Sequence, residues 1–345
     1  MEKKFLWQPG VSAPFYYTAV VKYAYVGYGT KGKRFPTMVE TTRRGIGRGF
    51  MAVALDDFDD PMDLPNSLDI LWISIAEKQI YKGNFVFSQE LQDKILKYFR
   101  QGFWDEGEKR TYECFSLTLL PGGRICLYLI GSGRTVCLDT ILQCTPIQMD
   151  FLDLNLNTSY KTLDDYVNAE YEYSDQQDMK EHQKKYGIPY RIWDKYLERF
   201  DYDICFEYEA KDSVVEYGSI IGYANGEIFD SMSGVNPQFK SPIKDCKFRW
   251  KVNKTIYSGY FYFNEDEVLN YFEQAYGEKR EQKGMFIIRV SKYNNWFDII
   301  LKVGGKEFNL EKTQIRVFRR LPEDRNGYNF YDNYRGEDVK RFIGE

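Results

Sequence analysis

The chain has 345 residues, beyond the size at which a single hydrophobic core usually keeps growing, so two domains are expected. Lys and Arg total 47 against 51 Asp and Glu, a net charge of −4, which removes the simplest electrostatic case for nucleic acid or an anionic membrane as partner. The 29 Tyr and 25 Phe favour strands, because aromatic rings pack well on a pleated, half-buried surface.

At the N-terminus, Met1-Glu2-Lys3-Lys4-Phe5-Leu6-Trp7 has two lysines but neither the apolar run nor the small-residue cleavage site of a signal peptide. No stretch is apolar enough to span a membrane, so no membrane span is expected. The expected location is cytoplasmic, or periplasmic if a leader has been removed. Six cysteines occur without any Cys-x-x-Cys pair, and four lie inside apolar strand-like runs, which reads as reduced core thiols.

The first strand signal is Phe15–Tyr28, where Val20-Val21-Lys22-Tyr23 leads into Val26-Gly27-Tyr28. It returns as Val214-Val215-Glu216-Tyr217 leading into Ile220-Ile221-Gly222-Tyr223, with one extra residue of the kind a β-bulge absorbs.

Between this strand and the next, residues 29–67 form an insertion that makes the first copy 18 residues longer than the second. Unshared segments of this kind are where function tends to sit. Its basic half holds Arg43, Arg44 and Arg48, and its acidic half holds Asp56, Asp57, Asp59 and Asp60. These seven residues are the candidate partner-binding set. The basic half lacks the interleaved aromatics of a nucleic-acid site, and the acidic half lacks the Asp-x-Asp-x-Asp-Gly spacing of a calcium loop. A solvated loop is expected, with no cofactor and no metal.

Leu68–Ala76 and Gln79–Phe87 follow as strands, and Ser88 is placed to cap a helix whose Leu91, Ile95 and Phe99 share one face, ended by Gly102. This block has its own copy. Ile256, Tyr257, Gly259, Phe261 and Phe263 repeat Ile80, Tyr81, Gly83, Phe85 and Phe87 at a constant offset of 176. That is five identities in nine positions, where average residue frequencies give about one. The second copy begins its helix with Asn264 and Glu267 spaced as a capping box. Strands then follow in both copies: Tyr112–Leu120, Ile125–Ile130 and Thr135–Leu142 in the first, and Phe286–Val290, Phe297–Val303 and Phe308–Phe318 in the second.

Between the copies, Thr162 can cap a charged helix running from Leu163 to about Tyr186, stopped by Gly187 and Pro189, with a short helix at Tyr190–Phe200. It holds His182, the single histidine, in a polar run that reads as surface. The sequence therefore predicts an α+β protein, a tandem duplication of an antiparallel β-sheet domain carrying one packed helix and joined by a helical connector. The first β-rich repeat is 1–147, the connector 148–199, the second repeat 200–320, and a polar C-terminal tail 321–345.

Leu64-Pro65, Leu68, Ile70, Trp72-Ile73-Ser74, Glu77, Tyr81, Gly83, then Ile95, Phe99, Gly102, Tyr112, Pro121-Gly122-Gly123 and Gly131 resemble the pattern of the bacterial family known as domain of unknown function 2931. The resemblance covers roughly residues 5–145. It implies no activity and no catalytic residues, and many members of that family are lipoproteins.

With one histidine, a Ser-His-Asp or Cys-His site would have to use His182, so nucleophilic catalysis is not expected. A non-enzymatic binding protein is expected, and specifically an immunity protein that binds and neutralises a cognate interbacterial toxin. The partner is then a protein, not nucleic acid. The alternative is a carbohydrate- or small-ligand-binding, possibly hydrolytic, protein using Trp72, Trp104, Trp250 and Trp296 with carboxylates. Trp72 and Trp250 sit mid-strand and read as core.

Overall fold

A computed structural model describes residues 4–30, 32–36, 41–51, 60–156, 158–173, 177–210, 214–234, 236–324, 327–334 and 339–345. These fall into two compact units, 1–192 with 344–345, and 193–343.

The first unit contains β1 (Gln8–Ser12), β2 (Ala19–Tyr28), β3 (Lys33–Pro36), β4 (Thr41–Thr42), β5 (Phe50–Met51), β6 (Pro65–Ser74), β7 (Gln79–Val86), α1 (Gln89–Gln101), β8 (Cys114–Leu120), β9 (Arg124–Gly131), β10 (Arg134–Gln143) and β11 (Thr145–Ile147). One sheet runs β11-β7-β6-β2-β3, with β4 also on β2. The other runs β10-β9-β8-β1-β5, all antiparallel except for the parallel β1-β8 pair. Val21, Ala24, Ile70 and Trp72 from the first sheet share a core with Phe115, Leu117, Leu127 and Leu129 from the second. Leu91, Ile95 and Phe99 of α1 join it, as their spacing predicts. Ser88 Oγ accepts the Leu91 N–H at 3.2 Å, and Gly102, at φ 57°, ends the helix by donating to the Tyr98 carbonyl at 2.9 Å.

The segment read as one helix folds as two, α2 (Leu163–Glu172) and α3 (Gln177–Tyr186). Thr162 caps the first as expected, accepting the Asp165 N–H at 3.1 Å. Tyr173 is extended, which breaks the helix and lets α3 double back on α2. Doubling back serves burial: Val167 of α2 and Met179 of α3 both lie on an apolar patch of Val20, Leu71, Ile73, Ile75 and Ile80, with Phe151 and Leu154. The outward face of the first sheet is thus covered by its own chain.

The second unit contains α4 (Ile192–Leu197, from Trp193), β12 (Phe200–Tyr208), β13 (Val214–Tyr223), β14 (Ile228–Asp230), β15 (Phe239–Lys240), β16 (Ile243–Val252), β17 (Thr255–Tyr262), α5 (Glu265–Tyr276), β18 (Gly284–Val290), β19 (Phe297–Val303), β20 (Lys306–Asn309), β21 (Gln314–Arg320) and β22 (Asn329–Tyr334). Within it, β22-β21-β17-β16-β13-β14 forms one run of neighbours and β20-β19-β18-β12-β15 the other, again with one parallel pair, β12 on β18. Apart from β22, this is the strand order of the first unit. Register agrees too: Trp72 pairs with Tyr81 and stacks on it at 4.9 Å, and Trp250 pairs with Tyr257 at 5.5 Å. A bulge interrupts the matched strand in both units, at Lys22 in β2 and Tyr217 in β13, so the bulge is common to both and does not mark the extra residue alone.

Three local expectations change here. Phe308–Phe318 is two strands, because Leu310–Thr313 leaves the sheet. Asn264 accepts the Glu267 N–H at 3.1 Å, but the Glu267 carboxylate takes the Glu311 and Lys312 N–H groups at 3.0 and 2.8 Å, so only half of a capping box forms. The tail is partly built in: β22 pairs with β21, and Phe342 is buried 5.5 Å from the Tyr196 ring.

Candidate functional site

Glu77, in the turn between β6 and β7, gathers three donors. Its carboxylate accepts the Gly122 N–H at 2.9 and 3.0 Å, the Tyr81 hydroxyl at 3.1 Å and the Tyr190 hydroxyl at 2.9 Å. Burial, then the Glu77 charge, pushes the Tyr81 phenol well above its usual range. Burial, followed by the hydrogen bond to Glu77, pushes Tyr190 up to about 12. Both phenols therefore stay neutral donors at neutral pH. Gly122 and Gly123 have φ of 85° and 73°, and a Cβ on Gly123 would meet the Tyr81 ring at 2.7 Å. The Glu77, Tyr81 and Pro121-Gly122-Gly123 signature thus ties the β8-β9 hairpin to the β6-β7 turn. It is a structural knot in which donors from three segments meet on one carboxylate.

The basic half of the insertion is not a solvated loop. Gly45 N–H donates to the Ala13 carbonyl at 2.8 Å, Gly47 N–H to Thr118 Oγ1 at 3.1 Å, and Ile46 is buried. A Cβ on Gly49 would lie 1.8 Å from Ser116 Oγ, so close passage over β8 explains that glycine. Arg43 is half-buried, 5.4 Å above the Phe15 ring and 3.7 Å from the Asp178 carboxylate. Arg44 is exposed, and Arg48 packs its chain against Gly45. Asp60 is exposed, while Asp56, Asp57 and Asp59 lie outside the described residues. The Asp178 contact draws Arg43 towards α3.

His182 is not simply a surface group. Its ring stacks on Tyr16 at 3.8 Å with Tyr186 at 4.7 Å, while Gln183 donates to the Tyr16 carbonyl at 2.6 Å, so it helps seat α3. Trp72 and Trp250 are core, whereas Trp104 and Trp296 are exposed. None of the six cysteines is in a disulfide, and all but Cys205 are buried. Among the described residues no cluster of His, Cys, Asp or Glu has the arrangement of a metal site, and no helix is long and apolar enough to cross a membrane.

A family model described as a protein of unknown function, DUF2931, matches residues 1–191. The chain belongs to the DUF2931 family. The DUF2931 match takes in the covering helices and ends one residue past Tyr190, so every residue of the Glu77 knot lies within the matched span. No curated protein and no solved structure matches the chain.

A feature the sequence reading passed over lies in the second unit, on the sheet face turned away from its core. Along β16, Cys246, Phe248 and Trp250 are buried while Lys247, Arg249 and Lys251 alternate with them on the opposite face. Register extends that face: Lys247 pairs with Tyr260 and then Arg316, Arg249 with Ser258 and then Phe318 and Phe330, and Lys251 with Ile256 and then Arg320. Tyr260 and Phe318 meet edge to face at 5.5 Å, Phe318 and Phe330 at 5.9 Å, and the Lys247 ammonium lies 4.7 Å from the Tyr260 ring. Among the described residues no carboxylate forms an ion pair with these cations. Asp230, next in register beyond Ile220, is taken up by the Met232 N–H at 2.8 Å, and Asp245 lies 3.7 Å from Lys244. The signal was present as Lys-x-Arg-x-Lys in β16 and Arg-x-Phe-x-Arg in β21, a strict alternation of period two.

Proposed function

We propose that this chain is a non-enzymatic binding protein, an immunity protein that seats on an interbacterial toxin and neutralises it. The observation that carries the reading is a difference between corresponding faces. The two units share strand order and the Trp-Tyr register, which supports a tandem duplication of one β-sheet domain. Phe151 and Leu154 with α2 and α3 cover the outward face in the first unit, where that face is apolar. The face in the corresponding position of the second unit keeps Ile220 38% and Phe330 59% exposed, with Lys247, Arg249 and Arg316 in register on the same face. Aromatic and Arg side chains on an open face are the composition of interface centres.

Co-expression tests this directly. The product of the adjacent gene, toxic when expressed alone, should lose its toxicity when this chain is present and elute with it as one complex. Undiminished toxicity with no complex would remove the neutralisation reading.

A further inference from the structure

The geometry points to an acidic protein surface as the occupant of the cationic sheet face of the second unit. This rests on the binding reading and gives the partner its chemistry. The chain as a whole carries a net charge of −4, yet Lys247, Arg249, Lys251, Arg316 and Arg320 stand together on one face. Concentrating one sign against the overall balance leaves a local field that attracts an anionic partner.

The rings on the face separate a protein from a nucleic acid. A base-stacking platform presents ring faces side by side to successive bases. Here the three rings are locked edge to face with one another, at interplanar angles of 77° and 82°, and Lys247 stands over the Tyr260 ring. The rings are thus engaged with one another and with Lys247, and aliphatic stems and guanidinium groups stand beside them. That suits side-chain packing and forked carboxylate contacts, for which Arg is well shaped.

The test uses the full chain and two probes of matched charge: a 20-residue peptide of Glu and Asp with a Phe at every fourth position, and a single-stranded oligothymidylate. Binding is read by biolayer interferometry at two salt concentrations. The peptide should bind more tightly than the oligonucleotide, and its affinity should fall as salt rises. Lys247→Glu/Arg249→Glu/Arg316→Glu should lower peptide affinity by about tenfold or more, mainly through association. A control variant reversing the exposed Lys82, Lys161 and Lys180 of the first unit should change it by less than about twofold. Because the reversed residues face solvent, folding is verified by an unchanged near-ultraviolet circular dichroism spectrum. Tighter binding of the oligonucleotide, equal losses in both variants, or full peptide affinity in the second-unit variant would each overturn the assignment. Peptide binding with the expected losses but no rescue from the toxin would leave this surface in place and remove only the neutralisation reading.

Discussion

Replacing Glu77 by Ala removes the acceptor shared by the Gly122 N–H and the Tyr81 and Tyr190 hydroxyls. Tyr190 is 45% exposed, so water takes over its hydrogen bond and that partner contributes little to the loss. The other two donors lose a charged acceptor, each worth about 1.5–3 kcal/mol net, and partial hydration of the half-buried Glu77 site trims the sum to about 2–4 kcal/mol. Native-state hydrogen exchange read by mass spectrometry localises the effect in a chain of two units, where a single melting temperature mixes them. Peptides covering 68–87 and 114–131 should exchange about thirty- to thousand-fold faster in Glu77→Ala, since each 1.36 kcal/mol is tenfold. Peptides from β16 and β17 should be unchanged. Tyr190→Phe should shift the first-unit peptides by less than about tenfold. A Glu77→Ala change under about fivefold would mean that water replaces the carboxylate, and the knot would then be incidental to the hairpin.

Phe99 and Phe272 are buried on α1 and α5, Phe99 against Phe5 at 5.1 Å and Phe272 against Phe200 and Tyr202 at 5.1 and 5.0 Å, so Ala at either position should cost about 3–5 kcal/mol. Urea unfolding that shows no loss for either would place that helix face in solvent. At high pH, the Tyr190 proton is held more tightly folded than unfolded: the stability this contributes is complete below pH 10 and is lost as pH rises towards about 12. The difference in stability between the natural chain and Tyr190→Phe should therefore shrink between pH 10 and pH 12, and a constant difference across that window would contradict the raised phenol.

Elements whose code is local were legible in the sequence. α1 was readable because Ser88, the Leu91, Ile95 and Phe99 spacing and Gly102 all lie within fifteen residues. The break between α2 and α3 was not, because the helix pattern continues through it and only the apolar patch on β2, β6 and β7 rewards folding back. The Arg-Arg-Gly-Ile-Gly-Arg-Gly run looked like a loop for the same reason: its glycines answer to Ser116 and Thr118, some seventy residues away in the chain. Glu77 was visible as a signature residue, but its partners on three separate segments were not. The cationic face was written plainly in period-two alternation. It was overlooked because net charge averages over the chain and hides a one-sided distribution.

The parallel pair of β1 and β8 sets the order in which the first unit can be completed. Gln8 lies beside Cys114, so β1 has no partner in that register until more than a hundred residues have followed it out of the ribosome. The same pairing makes β1 a closing strand. A chain trimmed of its first twelve residues would leave the β8 edge, with Phe115 and Leu117 beside it, open to strands of other molecules, and such a truncation should aggregate before it loses secondary structure.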